Sequence, residues 1–188
     1  MKLPMPFIPG CDLAGTITAL EPGTQRFNVG QRVWASNQGL LGRQGTLAEF
    51  AVVDEDWLHV TPDGVGDDQA AAGALVGITA HLGLFRCAQV QPGDWVYVSG
   101  GTGGVGSMVV QMAKAVGAKV ATTVGSAAKA ELARQLGADC VINYKADKLA
   151  AALEQATTGQ GVQVWYETQR EQDFVTIVPA MARRGRIV

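Results

Sequence analysis

A glycine-rich segment between an apolar stretch and a helical pattern constrains this chain more than any other feature. Residues 99–106 read Ser-Gly-Gly-Thr-Gly-Gly-Val-Gly, at the point where a predicted strand turns into a predicted helix. Glycine permits a tight turn and a close approach to a diphosphate, and a helix N-terminus supplies unpaired N–H donors. The segment therefore predicts a dinucleotide site. Its candidate cofactor-binding residues are Gly101, Thr102, Gly103, Gly104, Val105 and Gly106.

The residues that follow the glycines lack acidic side chains. No Asp or Glu occurs in residues 99–130, whereas an NAD site usually places a carboxylate on the adenosine ribose about 20 residues beyond the glycines. This chain offers Ser126 and Lys129 there instead, together with Thr122, Thr123 and Gly125. The pattern favours the phosphorylated cofactor, NADP(H).

Composition narrows the class of protein. The chain is 47% hydrophobic and 17% charged with a net charge of −2, which indicates a soluble globular protein and disfavours disorder or nucleic-acid binding. The longest nearly apolar run, residues 70–85, is shorter than the roughly 20 residues that span a bilayer, so it predicts a buried helix. Proline-rich residues 1–6 do not resemble a signal peptide, and three separated cysteines fit a reducing cytosol. We therefore expect a cytoplasmic protein without a membrane span.

The two halves of the chain differ in composition and in predicted secondary structure. Residues 1–66 are rich in Gly, Pro and short β-type runs, which predict a small, mostly antiparallel β module with strands at 15–20, 31–35, 47–53 and 57–60. From residue 67 helical and strand patterns alternate. We predict helices at 67–89, 104–116, 127–136, 147–157 and 173–183, and strands at 95–99, 119–124, 140–142, 162–166 and from 186. Repeated βα units predict an α/β fold of the Rossmann type, a parallel sheet with helices on both faces.

Both ends of the chain look interrupted. The last residues, 185–188, open a strand that would leave an unprotected sheet edge, and prolines at 4, 6 and 9 begin a β module abruptly. We expect a partial β domain at 1–66 and a C-terminally truncated NADP(H)-binding domain at 67–188.

Several short motifs together resemble the zinc-independent quinone oxidoreductases, the zeta-crystallin-like branch of the medium-chain dehydrogenase/reductase superfamily. Each motif is weak alone, but their order and spacing are specific, and the resemblance runs from about residue 9 to 188. It implies that the first module is GroES-like. The motifs lie at residues 9–15, 45–50, 77–80, 92–94, 103–106 with Gln111 and Lys114, 136–139 and 142–144.

The resemblance assigns roles to three further side chains. It implies that Lys129 and Tyr144 contact the adenosine 2′-phosphate, and that Thr79 lies near the nicotinamide. The alternatives are a solvated helix charge for Lys129, ordinary packing for Tyr144, and a hydroxyl bonded to its own helix backbone for Thr79.

The chain also departs from its zinc-dependent relatives. Cys11 and Asp12 stand where those enzymes carry a His-Glu pair, and His59 and His81 have no partnering Cys nearby, so we expect structural or solvated histidines and no metal. After the fourth strand of the predicted parallel sheet, Glu167 keeps the acid of the family, but Gln169-Arg170 replace its Val-Gly pair. No nicotinamide role is carried onto those two residues.

The resulting function hypothesis is hydride transfer from NADPH to a quinone or an α,β-unsaturated carbonyl, without a metal and with no assigned proton donor. An enoyl-thioester reductase of the same superfamily and a non-catalytic nucleotide-binding relative remain open. We expect a small-molecule substrate, no nucleic-acid or membrane partner, and a homodimer as one option for the full-length form. The 188-residue chain alone is expected to turn over poorly.

Overall fold

The computed structural model describes residues 5–188, and the chain splits into two compact units, Met1–Val76 and Gly77–Val188. The boundary predicted at residues 66 and 67 coincides with the first residue of helix α1, Asp67–His81, whereas the two units divide inside that helix. The first of the three N-terminal prolines lies outside the described residues.

The first unit contains a three-stranded antiparallel sheet. Strands β1 (Leu13–Thr16), β2 (Arg32–Ala35) and β3 (Leu58–Val60) pair in that order. A short 3-10 turn, Glu55–Trp57, precedes β3. The Asp54 side chain caps this turn by accepting a hydrogen bond from the backbone N–H of Asp56. The small core of this unit consists of Phe27, Val33, Ala35 and Leu58. The antiparallel module is as predicted, but its first strand is Leu13–Thr16 rather than 15–20.

The strand predicted at 47–53 is wrong. These residues form no regular element, and the side chains of Phe50 and Val52 are 67% and 97% exposed. Alternation of apolar residues creates strand propensity, but a strand forms only where a neighbour pairs with its backbone. Within the described residues the sheet is β1-β2-β3, and the segment pairs with none of these strands.

The second unit carries a five-stranded sheet in the order β6-β5-β4-β7-β8, with every neighbouring pair parallel. This confirms the predicted α/β architecture. Its strands are β4 (Trp95–Val98), β5 (Lys119–Val124), β6 (Cys140–Asn143), β7 (Val162–Tyr166) and β8 (Met181–Ile187), and its helices after α1 are α2 (Gly104–Ala115), α3 (Ala127–Gln135), α4 (Leu149–Ala156) and α5 (Phe174–Ala180).

Helices cover both faces of this sheet. On one face Ala80 of α1 and Val109 and Val110 of α2 pack against β4 and β5. On the other face α4 and α5 bury Leu153 and Ile177 against the same sheet. Strands buried on both faces read as nearly continuous apolar runs, which is why β5 and β7 begin and end at the predicted residues.

Helix α1 does not continue to residue 89 as a regular α-helix. It passes into a wider π-helical turn at Leu82–Cys87, where the N–H of Ala88 donates to the carbonyl of Gly83. The Tyr166 hydroxyl donates to the carbonyl oxygen of Thr79 at 2.8 Å, and a Cβ at Gly83 would overlap the Tyr166 ring. The ring of Tyr166 therefore occupies space beside the helix, and local periodicity could not reveal this.

The helical stretch Asp67–Cys87 is 21 residues long and contains an 18-residue window with a mean hydropathy of 1.4, so by length and composition it could cross a membrane. A mostly buried core helix of a water-soluble protein meets the same criteria; here 28% of the window is buried, including Ala80 and Leu84 in the core of the second unit. Cys87, at the end of the π-helical turn, is an exposed free thiol.

The last helix and strand differ from prediction. Helix α5 ends at Ala180, and β8 begins at Met181 rather than near residue 186. Pro179 lies in the last turn of α5, and proline lacks the N–H that would continue the helix. An irregularity then separates the pair Val162–Met181 from the pair Val164–Arg186, so β8 reaches the sheet earlier through a bulge.

Candidate cofactor site

The glycine turn connects β4 to α2 and is fixed by hydrogen bonds from the neighbouring strand. The N–H of Gly101 donates to the Thr122 hydroxyl at 2.8 Å, and that hydroxyl donates to the carbonyl of Val98 at 2.8 Å. The N–H of Gly103 donates to the carbonyl of Gly100 at 2.9 Å, and Gly100 has a φ of +65°. The turn is therefore built on β5 as well as β4, and it leads directly into the N-terminus of α2.

Packing requires glycine at two of the predicted positions. Gly101 and Gly106 are buried, and a Cβ at Gly106 would overlap the carbonyl oxygen of Gly100. A Cβ at Gly101 would overlap the Thr122 side chain. Gly103 is exposed and precedes α2 as its N-cap, with no side chain capping the first turn. The N–H groups in the first turn of α2 thus have no acceptor within the helix.

A cavity of about 710 Å³ opens where the strand order reverses between β4 and β7, the usual position of a ligand crevice in a parallel α/β sheet. All of its lining residues belong to the second unit. They are Tyr97, Ser99, Gly100, Thr102, Gly103, Thr123, Val124, Gly125, Lys129, Tyr144, Leu149, Trp165, Glu167, Thr168, Gln169, Glu171, Asp173, Thr176 and Ile177.

The end of the cavity at β5 carries the predicted phosphate ligands. Ser126 begins α3 as its N-cap, and its hydroxyl accepts a hydrogen bond from the N–H of Lys129 at 3.3 Å. Lys129 and Tyr144 are exposed and both line the cavity. A Cβ at Gly125 would overlap the Tyr144 hydroxyl, so glycine at this position lets the phenol lie against the backbone. An ammonium group and a phenol therefore share this end of the cavity.

The opposite end, after β7, is acidic and densely hydrogen-bonded. The Glu167 carboxylate accepts from the Ser99 hydroxyl, from the N–H of Gln169 at 2.8 Å and from the Trp165 indole at 3.1 Å. The Ser99 hydroxyl also accepts from the N–H of Thr168 at 2.8 Å. These bonds join the carboxyl ends of β4 and β7 at this end of the cavity.

Two more acids, Glu171 and Asp173, line the same end, and both are exposed. Asp173 begins α5 and accepts hydrogen bonds from the Thr176 hydroxyl at 2.6 Å and from the N–H of Val175 at 3.1 Å. These bonds, led by the one from Thr176, hold the pKa of the Asp173 carboxyl below its usual range.

Tyr97 and Trp165 form an aromatic floor beneath this end. Their ring centroids lie 4.1 Å apart, and both side chains are buried. Burial, with a smaller contribution from the negative charge of Glu167, raises the pKa of Tyr97 to about 12, although a hydrogen bond with Thr123 at 3.3 Å opposes the shift. Tyr97 is therefore a neutral phenol at physiological pH and cannot act as a base there.

The predicted site residues do not all meet in the cavity. Thr102, Gly103, Lys129 and Tyr144 line it. The other predicted residues lie outside its lining: Gly101 and Gly106 beneath the turn, Gly104 and Val105 at the start of α2, Ser126 at the start of α3, and Thr79 on α1.

Reasoning from the sequence missed the first residue of the turn and the contribution of β7. Gly100 lines the cavity, although the GxGxxG spacing begins one residue later. Thr122 and Thr123, noted only as non-acidic residues, supply the hydroxyls that accept from the N–H groups of Gly101 and Gly100. Two adjacent threonines ending a buried strand were the available signal, because a buried hydroxyl requires a partner.

The histidines make aromatic contacts. His59 lies 4.8 Å from the Trp34 ring, and His81 lies 4.8 Å from the Phe85 ring, centroid to centroid. Across residues 5–188 no three His, Cys, Asp or Glu side chains are grouped so as to hold a metal ion.

Comparison with known proteins agrees with this architecture. The family described as "Alcohol dehydrogenase GroES-like domain" matches residues 1–63, and the family described as "Zinc-binding dehydrogenase" matches residues 104–188. The quinone oxidoreductase of Salmonella typhimurium is 32% identical over 188 residues, which cover 98% of this chain and 56% of that protein.

Solved structures show the same likeness. The Escherichia coli quinone oxidoreductase complexed with NADPH has a TM-score of 0.83 and 30% identity, covering 95% of this chain and 53% of that one. The CurK enoyl reductase has a TM-score of 0.84 and 26% identity, covering 97% of this chain and 53% of that one.

The glycine turn at a parallel-sheet switch point and the matches on both halves define the class. The chain belongs to the medium-chain dehydrogenase/reductase superfamily. It spans about half the length of these quinone oxidoreductase relatives.

Proposed function

We propose that this chain binds NADP(H) at the glycine turn and serves metal-free hydride transfer to a quinone or an α,β-unsaturated carbonyl. One observation carries the cofactor assignment. A single cavity contains the exposed part of the glycine turn and, at the end of β5, Lys129 with Tyr144 in place of the acid of an NAD site. The NADPH complex of the E. coli relative supports the same assignment.

The residues present fit such a cofactor. Thr102, Gly103 and the unpaired first-turn N–H groups of α2 would receive the diphosphate. Lys129 and Tyr144 would hold the 2′-phosphate, because an ammonium group and a phenol both donate hydrogen bonds to phosphate oxygens. The proposal also includes Thr79 as a residue near the nicotinamide.

When bound, the cofactor supplies the hydride, and the protein contributes position and hydrogen bonds. Hydrogen bonds among Ser99, Glu167 and Thr168 hold the carboxyl ends of β4 and β7 together, and these residues would position a cofactor bound in the adjoining cavity. Negative charge that develops on a substrate oxygen would be stabilised by N–H or O–H donors or by water. Neutral Tyr97 beneath the cavity offers no base.

The cofactor assignment is tested by titrating the 188-residue chain with NADPH and with NADH while following the quenching of tryptophan fluorescence. We expect NADPH to bind about tenfold or more tightly than NADH, since a 2′-phosphate gains at least one charge-assisted hydrogen bond. Tighter binding of NADH would refute the roles of Lys129 and Tyr144.

Reduction of enoyl thioesters is the second candidate, and the likeness to the CurK enoyl reductase favours it. A crotonyl thioester and a simple quinone, each assayed with NADPH, discriminate between the two activities. Tight NADPH binding with no turnover of either substrate would instead favour a non-catalytic, nucleotide-binding role.

The cellular setting is part of the same proposal. We take helix Asp67–Cys87 as a core helix of a soluble cytoplasmic protein that acts on a small molecule and binds neither nucleic acid nor membrane. Homodimerisation of a longer form remains an option, and size-exclusion chromatography with light scattering tests it.

A further inference from the structure

Gln169 approaches the glycine turn from the strand opposite the predicted motif. It follows β7, lines the cavity, and is exposed. Its side-chain nitrogen Nε2 lies 3.5 Å from the position that a Cβ on Gly100 would occupy. The amide of Gln169 therefore lies close to the first glycine of the turn, and both residues line the cavity.

The backbone of Gln169 is fixed in this position. Its N–H donates to the Glu167 carboxylate at 2.8 Å, and that carboxylate is itself held by the Ser99 hydroxyl and the Trp165 indole. The side chain thus extends from a backbone position that is hydrogen-bonded to the end of β7. A preorganised donor loses less conformational entropy on binding than one on a mobile loop.

The hydrogen-bond inventory of the turn leaves a role for this amide. The N–H groups of Gly100 and Gly101 are taken by the hydroxyls of Thr123 and Thr122, so they are not available to an anion. Gln169 Nε2 makes one long hydrogen bond, 3.4 Å to the Thr168 hydroxyl, although an amide carries two N–H donors. Within the described part of the chain, one donor on Gln169 remains for a ligand.

We propose that the side-chain amide of Gln169 is an additional ligand of the cofactor diphosphate and donates from the β7 side, across from the N-terminus of α2. The inference rests on the proposed NADP(H) site and adds a residue that neither the glycine motif nor the 2′-phosphate ligands include. A neutral amide is suited to this position, because it can donate to an anion beside the Glu167 carboxylate without adding a further negative charge.

Matched variants of two glutamines test the proposal. Gln169→Leu removes the donor, and Gln169→Glu replaces it with a negative charge. Gln172→Leu and Gln172→Glu are the controls, since Gln172 is exposed in the same segment but does not line the cavity. The ligands are NADPH and adenosine 2′-monophosphate, which carries the 2′-phosphate but no diphosphate. Thermal unfolding of each variant confirms that it is folded.

For NADPH we expect Gln169→Leu to raise Kd about fivefold and Gln169→Glu to raise it on the order of 30-fold, through loss of a hydrogen bond and added charge repulsion. The Gln169 variants should bind adenosine 2′-monophosphate with a Kd changed by less than about twofold. The Gln172 variants should bind both ligands with Kd values changed by less than about twofold. Unchanged NADPH binding, or equal weakening of both ligands, would overturn the role of Gln169 and leave the site intact. Failure of the unmodified chain to bind NADPH would overturn the proposed function, and this inference with it.

Discussion

The two ends of the cavity are built in different ways. At the β5 end Lys129 and Tyr144 are exposed, and within the described residues neither side chain has a hydrogen-bonding or ionic partner. At the β7 end Glu167 is engaged by three donors from the protein itself. Polar groups without internal partners are available to a ligand, whereas saturated groups hold the structure in place. The first end is therefore suited to recognition and the second to positioning.

Both ends depend on the glycine turn, so the largest expected effect comes from Gly106→Ala. The added Cβ would overlap the carbonyl of Gly100 in a buried position, and we expect a loss of about 3 kcal/mol or more in the free energy of unfolding, with weaker NADPH binding. Urea unfolding and NADPH titration measure the two effects.

Gly15→Ala is the control for this change, because a Cβ at Gly15 meets nothing within 4 Å, and its stability should move by less than about 1 kcal/mol. Equal stabilities for the two variants would show that the turn tolerates a side chain.

The aromatic floor beneath the β7 end should give the protein a distinctive response to alkaline pH. An unfolded chain releases the Tyr97 proton near pH 10.0, whereas the folded chain keeps it until about pH 12. The unfolded state then binds fewer protons, so this contribution to stability is full below pH 10 and falls by about 2 to 3 kcal/mol as the pH rises toward 12.

Urea unfolding between pH 9 and 11.5 of the unmodified chain and of Tyr97→Phe isolates this contribution. The Phe variant should lose less stability over that range. Identical slopes for the two proteins would contradict the raised pKa of Tyr97.

A positioning role for Glu167 predicts a stability cost at the β7 end. Glu167→Gln replaces one accepting oxygen with an NH₂ group that would face the Trp165, Ser99 or Gln169 donors, so we expect a loss of about 1 to 2 kcal/mol in the free energy of unfolding. Chemical denaturation measures it. Glu171→Gln, at an exposed neighbouring position, should change the free energy of unfolding by less than about 0.5 kcal/mol. An equal loss of stability in both variants would contradict a positioning role for Glu167.

The smallest effect on stability is expected at the β5 end. Lys129→Ala should leave the free energy of unfolding within about 0.5 kcal/mol while weakening NADPH about tenfold and NADH little, because it removes a phosphate ligand and no internal bond. Titration calorimetry measures the change in Kd for NADPH and for NADH. Lys145→Ala, an exposed neighbour of Tyr144 outside the cavity lining, is the control. Equal weakening of NADPH and NADH would mean that Lys129 does not read the 2′-phosphate.

Prediction from the sequence succeeded where local pattern and tertiary role coincide. Strands β5 and β7 are almost wholly buried, and their β-branched and aromatic residues allowed both strands to be predicted at their observed bounds. Lys114 and Asp139, two motif residues, pair at 2.8 Å, and Asp139 also accepts from the N–H of Val120. Motifs that helped to identify the family thus include residues that hold α2 against the sheet.

Prediction failed where a distant neighbour decides. Residues 47–53 have strand propensity but no pairing strand among the described residues, and the bulge at the start of β8 follows its pairing with Val162. In the candidate site, spacing alone could not show that Gly106 is buried against Gly100 or that Glu167 accepts from Ser99, since these partners lie on other elements.

The sequence by itself determined the α/β class, the place of the glycine turn and the absence of an acid in residues 99–130, because periodicity, glycine content and charge are local properties. The tertiary structure alone decided which residues of the turn are buried and which line the cavity. Burial of Gly101 and Gly106 depends on how closely α2, β4 and β5 pack, and the approach of Gln169 to Gly100 depends on β7 lying beside β4.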